Sequence, residues 1–487
     1  MLLHPSSLPG KFGIGSLGAE AFKFVDWLND SGQKVWQILP LGPTDKSHSP
    51  YLSYSAFAGN PDLIDLNLLV QEGYLTPGLI ANPPGFPVYK IDYKTLLPFR
   101  EKLLKAAFKQ FTTDDGFNSQ SYHYFWDQNW WWLESWSLFD ACRRRLPGED
   151  WSEWEESLQL REEKALESFY HKYKDFVLYS RFLQYLFFNQ WFALKKYANE
   201  KGVSIFGDIP LYVAFNSSDV WSNQGLFLLD KKRQPRLVGG VPPDYFSKTG
   251  QLWGNPLYDW HKMKHQGYEW WMARLHFNLR MFDLVRIDHF RGLESFWAIT
   301  FGEKTAINGT WMKALGDEML NLLQKQIGSL PIVAEDLGLI TPEVDHLRKK
   351  YNLPGMKVLH FAFSSDSNNN HLPHNYAGDF VVYTGTHDND TTIGWLQSLK
   401  KDERLKVQTY LGTKTPDNWH LIRKAEESVA QLAIIPMQDI LSLPTDARMN
   451  RPGTTKGNWV WRMDPELLNV TQGEKLYEMT RLFGRCD

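Results

Sequence analysis

The chain alternates between short apolar runs and longer segments in which apolar residues recur at helical spacing. Eight runs are apolar and end in polar or turn residues, as strands buried on both faces of a parallel sheet do: 2–4, 34–41, 203–210, 282–289, 330–337, 357–363, 379–384 and 433–440. The helical spacing predicts helices at 19–29, 311–326, 401–411 and 419–430. Strands that alternate with helices in this way predict an α/β fold, a (β/α)8 TIM barrel.

Two connections between the predicted strands are too long to be simple loops. The first, 42–202, has an extended part rich in Pro and Gly and then helices rich in Trp. The second, 211–281, contains the segment 239–260, whose Gly, Pro and Asn residues predict an ordered loop. We therefore expect one barrel domain over 1–487, with an insertion subdomain at 42–202 and a second insertion at 211–281 that carries an active-site loop at 239–260.

Composition and charge exclude several classes of protein. The 487 residues include 53 basic and 56 acidic side chains, a net charge of -3, so we expect no nucleic-acid partner. We also expect no membrane segment, since no run of about 18 apolar residues exists and the N-terminus lacks a signal-peptide pattern. Cys142 and Cys486 are too few for a disulfide framework, which favours a reducing compartment. The 21 Trp residues suit an aromatic core, but flat apolar faces also stack on sugar rings, which makes carbohydrate the first substrate class to consider.

Acidic residues lie at the ends of four predicted strands, where catalytic residues of this barrel fold lie. These residues are Asp208, Asp288, Glu335 and Asp388. The period of two along a strand places Arg286 on the same face as Asp288, where it would hold that carboxylate ionised and oriented, as a glycosidic nucleophile requires. Apolar surroundings and nearby carboxylates would raise the pKa of Glu335, as a general acid requires. Asp388 could stabilise an oxocarbenium-like state or bind ring hydroxyls.

Structural roles are the alternative for each of these acids taken singly. A lone Asp at a strand end is commonly a helix N-cap, and the Arg286–Asp288 pair could be only a buried ion pair. A divalent metal could also be bound by members of the set His289, His387, Asp288, Asp388 and Glu335. The chain has no HExxH motif, so we predict no metal. Acids at four strand ends, one beside Arg and one beside His, favour an active site.

The motifs around these positions resemble the 4-α-glucanotransferases called amylomaltases or disproportionating enzymes, glycoside hydrolase family 77 of the α-amylase clan. The resemblance spans nearly the whole chain. It rests on LHPSSLPGKFGIGSLG at 3–18, WQILPLGPT at 36–44, SPYLSYSAFAGNP at 49–61, GDIPLYVAFNSSDVW at 207–221, segment 239–260, VRIDHFRG at 285–292, AEDLG at 334–338, TGTHDNDTT at 384–392 and RMNRPGTTKGNWVWR at 448–462.

The resemblance implies a catalytic barrel in which Asp288 is the nucleophile, Glu335 the acid/base and Asp388 the transition-state stabiliser. It implies that the substrate-binding residues are Tyr54, Asp208, Gln251, Trp253, Asn255, Arg286, His289, His387 and Asn450. Among these, Gln251 and Trp253 would overhang the cleft and Tyr54 would face the donor glucan. The family uses no metal or organic cofactor, so none is expected.

The resemblance also implies a reaction and its partners. The expected reaction is transfer of α-1,4-glucan segments from a donor maltodextrin to the 4-hydroxyl of an acceptor by a retaining double displacement. The expected partners are malto-oligosaccharides and α-1,4-glucans, bound by a monomer or weak homodimer in the cytoplasm or the plastid stroma. The alternatives are an α-amylase-like retaining hydrolase, a non-catalytic glucan-binding module and a metal-dependent barrel hydrolase.

Overall fold

A computed structural model describes residues 1–148, 150–243, 247–468 and 470–486. Its strands are β1 Val35–Gln37, β2 Ser204–Pro210, β3 Leu237–Val241, β4 Gln251–Pro256, β5 Leu284–Asp288, β6 Ser295–Thr300, β7 Gly309–Lys313, β8 Ile332–Ala334, β9 Gly355–Val358, β10 Phe380–Tyr383 and β11 Leu432–Ile434. The strands β1, β2, β5 and β8 pair in parallel in that order, and so do β9, β10 and β11. The Ala334 N–H donates to the Pro354 carbonyl at 2.8 Å, which joins the two groups.

The extended segment at Leu2 closes the barrel between β1 and β11. The Leu2 N–H donates to the Ile435 carbonyl at 2.8 Å and the Leu3 N–H to the Gln37 carbonyl at 3.1 Å, and both neighbours of Leu2 run parallel to it. A closed ring of parallel strands leaves no exposed sheet edge, and its carboxyl ends meet on one rim. The predicted TIM barrel is confirmed. Residues 359–363 of the run at 357–363 and the second half of the run at 433–440 are wrong as strands, because β9 ends at Val358 and 437–440 form a short helix.

Helices connect and surround these strands. They are α1 Ala19–Asp30, α2 Leu66–Gln71, α3 Pro77–Ile80, α4 Tyr93–Thr113, α5 Gln120–Arg145, α6 Glu156–Gln159, α7 Glu163–Lys172, α8 Lys174–Glu200, α9 Ser218–Ser222, α10 Trp260–His265, α11 Glu269–Met281, α12 Gly316–Ile327, α13 Pro342–Lys350, α14 Thr392–Ser398, α15 Lys401–Leu411, α16 Asn418–Glu426, α17 Met437–Ile440 and α18 Val470–Leu482. None of the helices in the described residues is long and apolar enough to cross a membrane. The helices predicted at 19–29 and 401–411 are confirmed as α1 and α15.

Helices α2 to α8 lie between β1 and β2, and aromatic side chains join them to the barrel. Phe188 of α8 meets Trp132 of α5 at 5.6 Å between ring centres and Phe277 of α11 at 5.8 Å, both edge to face. Trp132 is buried, whereas Trp130 beside it is 54% exposed. The tryptophans of α5 are therefore partly core and partly surface.

A second, antiparallel sheet in the order β4–β3–β6–β7 corrects two predictions. Segment 239–260 is not simply a loop, because β3 ends within it and β4 lies inside it, although residues 244–246 of that segment lie outside the described residues. A Cβ on Gly240 would lie 2.3 Å from the Gln251 carbonyl oxygen, so the close approach of β3 and β4 requires glycine there. The predicted helix at 311–326 is wrong at its start, because 309–313 pair with β6 and α12 begins at Gly316.

Candidate active site

The carboxyl end of β5 carries a bridged pair of carboxylates. The Arg286 guanidinium donates to Asp288 Oδ1 at 2.7 Å and to both carboxylate oxygens of Asp208, on the neighbouring strand β2, at 2.7 and 2.9 Å. The side chain of Asp208 is fully buried, whereas that of Asp288 is 32% exposed. Asp208 therefore lies beneath Arg286 and holds it, while Asp288 presents an oriented carboxylate to the cleft.

Burial and charge act in opposite directions on Asp288. Burial raises the pKa of the Asp288 carboxyl above its ordinary value, Arg286 lowers it and Asp208 raises it. The expectation that Arg286 dominates and holds the pKa of Asp288 low is wrong in its net direction, because burial outweighs the attraction of Arg286 and the charge of Asp208 opposes it. Arg286 still fixes the geometry of Asp288, as the period of two along β5 predicts.

Glu335 follows β8 and lies beside the residues after β5. Its Oε2 accepts the His289 N–H at 2.8 Å and its Oε1 accepts the Leu337 N–H at 3.0 Å. The pKa of Glu335 is raised to about 7, because burial and the nearby charge of Asp288 together outweigh the opposing charge of Arg286. Because Glu335 and Asp288 interact, they titrate as a pair, and burial raises the pKa of both carboxyl groups. The predicted raised pKa of Glu335 is confirmed.

Asp388 lies on the loop after β10, and its side chain is 46% exposed. Its Oδ1 accepts the Asn450 side-chain amide at 2.6 Å and lies 3.4 Å from His387 Nε2. Thr391, not Asp388, caps helix α14, since its side chain accepts the Gly394 N–H at 3.1 Å. The capping alternative for Asp388 is therefore excluded, and its carboxylate faces the rim.

Tyr51 is a rim residue that sequence reasoning missed. Its hydroxyl donates to Asp208 Oδ2 at 2.6 Å, and its ring stacks on His387 at 5.1 Å between ring centres. The Trp459 ring centre lies 5.9 Å from the ring centres of both Tyr51 and His387, so the three rings form one aromatic cluster. The SPY string at 49–51 is part of a recognised motif, but a loop has no periodicity to show which of its aromatic residues, Tyr51 or Tyr54, points toward the rim.

Strand β4 brings Trp253 and Gln251 to the other side of the cleft. The Trp253 indole N–H donates to Gln251 Oε1 at 3.1 Å, and its ring meets His289 edge to face at 4.7 Å. His289 has a left-handed backbone, with φ 54°, which is uncommon outside glycine and recurs at functional sites. Burial lowers the pKa of His289 to about 3, so its imidazole is neutral. His289 directly follows Asp288, and its main-chain N–H donates to Glu335, so His289 connects Trp253 to the two carboxylates.

Two predicted substrate-binding residues lie apart from the carboxylates. Asn255 is buried at the end of β4, where its side-chain amide donates to the Val213 carbonyl at 2.9 Å. Tyr54 packs on α5, with the Arg143 guanidinium 4.3 Å from its ring centre. In the described residues, no three His, Cys, Asp or Glu side chains are grouped so that they could hold a metal ion.

Known proteins match this chain over nearly its whole length, a span that contains every residue of the site described above. The family model for 4-alpha-glucanotransferases matches residues 3–469. A 4-alpha-glucanotransferase of Synechocystis sp. is 51% identical over 100% of this chain and 97% of its own. The chloroplastic/amyloplastic 4-alpha-glucanotransferase of Solanum tuberosum is 43% identical over 100% of this chain and 86% of its own.

A solved structure shares the fold over its full length. The amylomaltase from Streptococcus agalactiae in complex with acarbose has a TM-score of 0.96 to this chain, covers 100% of it with 99% of its own length, and is 38% identical to it. The resemblance inferred from the motifs is thus confirmed by sequence and by structure. The chain belongs to the 4-α-glucanotransferases, glycoside hydrolase family 77.

Proposed function

We propose that the chain transfers α-1,4-glucan segments between malto-oligosaccharides, with Asp288 as nucleophile, Glu335 as acid/base and Asp388 as transition-state stabiliser. The observation that carries the proposal is the contrast between two neighbouring carboxyl groups. Asp288 is oriented by Arg286, and Glu335 retains a proton near neutral pH. A nucleophile and an acid with separate protonation states are what retaining glycosyl transfer requires.

In the first step Asp288 attacks the anomeric carbon of the donor. The bond from that carbon to the glycosidic oxygen breaks as the Glu335 proton passes to that oxygen, which departs as the 4-hydroxyl of the released glucan. A glycosyl ester on Asp288 and an ionised Glu335 result. Asp388, with its oxygen fixed by Asn450, stabilises the positive charge that develops on the sugar ring.

In the second step Glu335 takes the proton of an acceptor's 4-hydroxyl, and the acceptor oxygen attacks the glycosyl ester. Asp288 leaves as a carboxylate, Glu335 is protonated again, and two inversions give retention. We assign Tyr51 and His387 to a stacked wall against the donor sugar and Trp253 with Gln251 to the acceptor side. A glucan bound on the acceptor side excludes water from the glycosyl ester, which favours transfer over hydrolysis.

The remaining predicted substrate-binding residues lie where they can orient the catalytic carboxylates or contact the sugar. Asp208 and Arg286 orient the nucleophile, and Asn450 orients Asp388. The neutral His289 imidazole faces Trp253, where it can accept a bond from a sugar hydroxyl. Asn255 ties β4 to Val213, and Tyr54 would serve a glucan only beyond the rim. Two cysteines are too few for a disulfide framework, which supports a reducing compartment such as the cytoplasm or plastid stroma, and we propose a monomer or weak homodimer as the working form.

Incubation with pure maltotriose tests the proposal. The protein should yield glucose together with maltodextrins longer than the substrate, and Asp288→Asn should lower both products by roughly 10³-fold or more. Asp127→Asn, the same change at an exposed position on α5, is the matched control and should leave the product ladder unchanged. Release of only glucose and maltose, with no longer product, would show a hydrolase instead.

A further inference from the structure

Arg448 joins two loops, one that carries the Asp388 carboxylate and one that carries its partner Asn450. Its Nη2–H donates to the main-chain carbonyl of Asp388 at 2.5 Å, and its Nε–H donates to the main-chain carbonyl of Asn450 at 2.7 Å. Asp388 lies on the loop after β10, and Asn450 lies further along the chain, after β11 and α17. One guanidinium therefore binds two segments that are distant in sequence. Asn450 completes the link, because its N–H donates to the His387 carbonyl at 3.1 Å.

Asp388 depends on such a link more than Asp208 does. The side chain of Asp208 is fully buried and is fixed by Arg286 and Tyr51, whereas that of Asp388 is 46% exposed. Packing does not fix the orientation of a carboxylate that is this exposed. It depends on its one amide partner, Asn450, and on the path of the main chain on which it stands.

We propose that Arg448 is a positioning residue of the transfer reaction, which holds the main chain at Asp388 and Asn450 so that the Asp388 carboxylate faces the anomeric carbon. The proposal rests on the function assigned to Asp388 above. Arginine suits the task because its planar group presents two donors in a fixed geometry, which the single ammonium of lysine cannot reproduce. Asp390 also lies near, but its carboxylate accepts from the Thr391 N–H and the Thr445 hydroxyl.

A small displacement of Asp388 should lower the rate steeply, since a misplacement of about 1 Å at a reacting centre can lower a rate by roughly 10²-fold. Arg448→Lys should therefore lower kcat by roughly 10- to 100-fold and change KM for maltotriose by less than about 3-fold. Arg485→Lys is the matched control. Arg485 donates to the carbonyls of Glu426, Ser428 and Ala430 at 2.7 to 3.0 Å, away from the rim, so that change should lower stability without changing kcat.

A double-mutant cycle separates positioning from a general structural role. Acarbose binding is measured by calorimetry for the wild type, Arg448→Lys, Asp388→Asn and the double variant. If Arg448 acts through Asp388, Arg448→Lys should weaken acarbose binding about 10-fold in the wild type and less than 2-fold in Asp388→Asn. Equal weakening in both backgrounds, or an unchanged kcat in Arg448→Lys, overturns the proposal.

Chemical rescue covers the case in which the lysine variant does not fold. Added methylguanidinium should restore kcat to Arg448→Ala at least 5-fold, while the wild type should be unaffected; no rescue in a folded Arg448→Ala protein also counts against the proposal. Transfer from maltotriose by the wild type is measured in parallel. If the wild type makes no longer maltodextrin, the proposed function fails, whereas normal transfer with an insensitive Arg448 variant overturns only the positioning role.

Discussion

At the scale of single residues, the site depends on where one proton resides. Burial lifts the pKa of Glu335 to about 7, so that this carboxyl is protonated below neutral pH, while Asp288 must be ionised to attack. Burial also raises the pKa of Asp288, which brings the two titrations of the pair closer than an arginine acting on Asp288 alone would. The working pH range is therefore bounded on both sides by the same pair.

We predict a bell-shaped dependence of kcat/KM on pH for maltotriose, with the basic limb near pH 7 and the acidic limb above the ordinary range of an aspartate. Activity falls above the basic limb because Glu335 loses the proton that the leaving oxygen needs. Initial release of fluoride from an α-maltosyl fluoride donor, whose leaving group needs no proton, should lose the basic limb. A basic limb that persists unchanged with the fluoride donor would assign it to another group.

Residue roles differ in how far the sequence can predict them. The order of Arg286 and Asp288 on one strand fixes that they share a face, and the structure bears this out with a 2.7 Å bond. The alternation does not reveal that Arg286 also binds Asp208, because that contact crosses between strands. Tyr51 and Trp459 are 408 positions apart, and no local pattern predicts that both rings meet at His387.

At the scale of elements, strand β4 carries the two residues that we assign to the acceptor side of the cleft, Gln251 and Trp253. Trp253 presents an indole against His289, and the strand is held by β3 through a close approach at Gly240. A strand places a side chain more rigidly than a loop does, so the platform is preformed.

We predict that Trp253→Ala lowers the ratio of transfer to hydrolysis from maltotriose by roughly 3- to 10-fold, because it removes a large apolar face that excludes water and holds the acceptor. The ratio is measured from free glucose against maltodextrins longer than the substrate. Trp130→Ala is the matched control, since Trp130 is 54% exposed on α5 and remote in sequence from the rim. Equal ratios in Trp253→Ala and the wild type would make β4 a structural element only.

The elements also show where pattern reading succeeds. Barrel strands buried on both faces give continuous apolar runs, and these were predictable to within a few residues at β2, β5 and β10. The antiparallel sheet was not predicted, because β3 contains Leu237, Val238 and two glycines, and β7 has one exposed edge with little apolar alternation. The glycines of β3 allow two strands to approach closely, but in the sequence alone glycine is more typical of a loop.

At the scale of the whole molecule, the closed barrel explains why distant parts of the chain form one site. Strand ends from β2, β5, β8 and β10 meet at one rim because all of these strands run parallel, and Leu2 completes the ring beside β11. The helices between β1 and β2 bury their aromatic side chains against α11, which supports β5 from outside. Catalytic groups held by such a scaffold can be buried and charged at some expense of stability.

The effect of Glu335 on the free energy of unfolding can be measured through its dependence on pH. Its pKa is about 7 in the folded chain and near 4.5 in the unfolded chain, so the folded state binds this proton more tightly. The stabilising contribution is complete below about pH 4.5 and is lost as the pH rises toward 7. For Glu335→Gln, which cannot ionise, this loss is absent.

We therefore predict that the Tm of Glu335→Gln rises relative to that of the wild type as the pH increases from 5 to 8. The difference in the free energy of unfolding should change by on the order of 1–3 kcal/mol over that range, since one pKa unit corresponds to about 1.4 kcal/mol and the coupled pair shares its proton. Thermal unfolding followed by circular dichroism at matched ionic strength gives the measurement. Glu478→Gln, an exposed glutamate on α18, is the control and should follow the wild type at every pH. A difference between Glu335→Gln and the wild type that stays constant across the range would mean that Glu335 titrates at the same pH folded and unfolded. Its suitability as the general acid would then need another explanation.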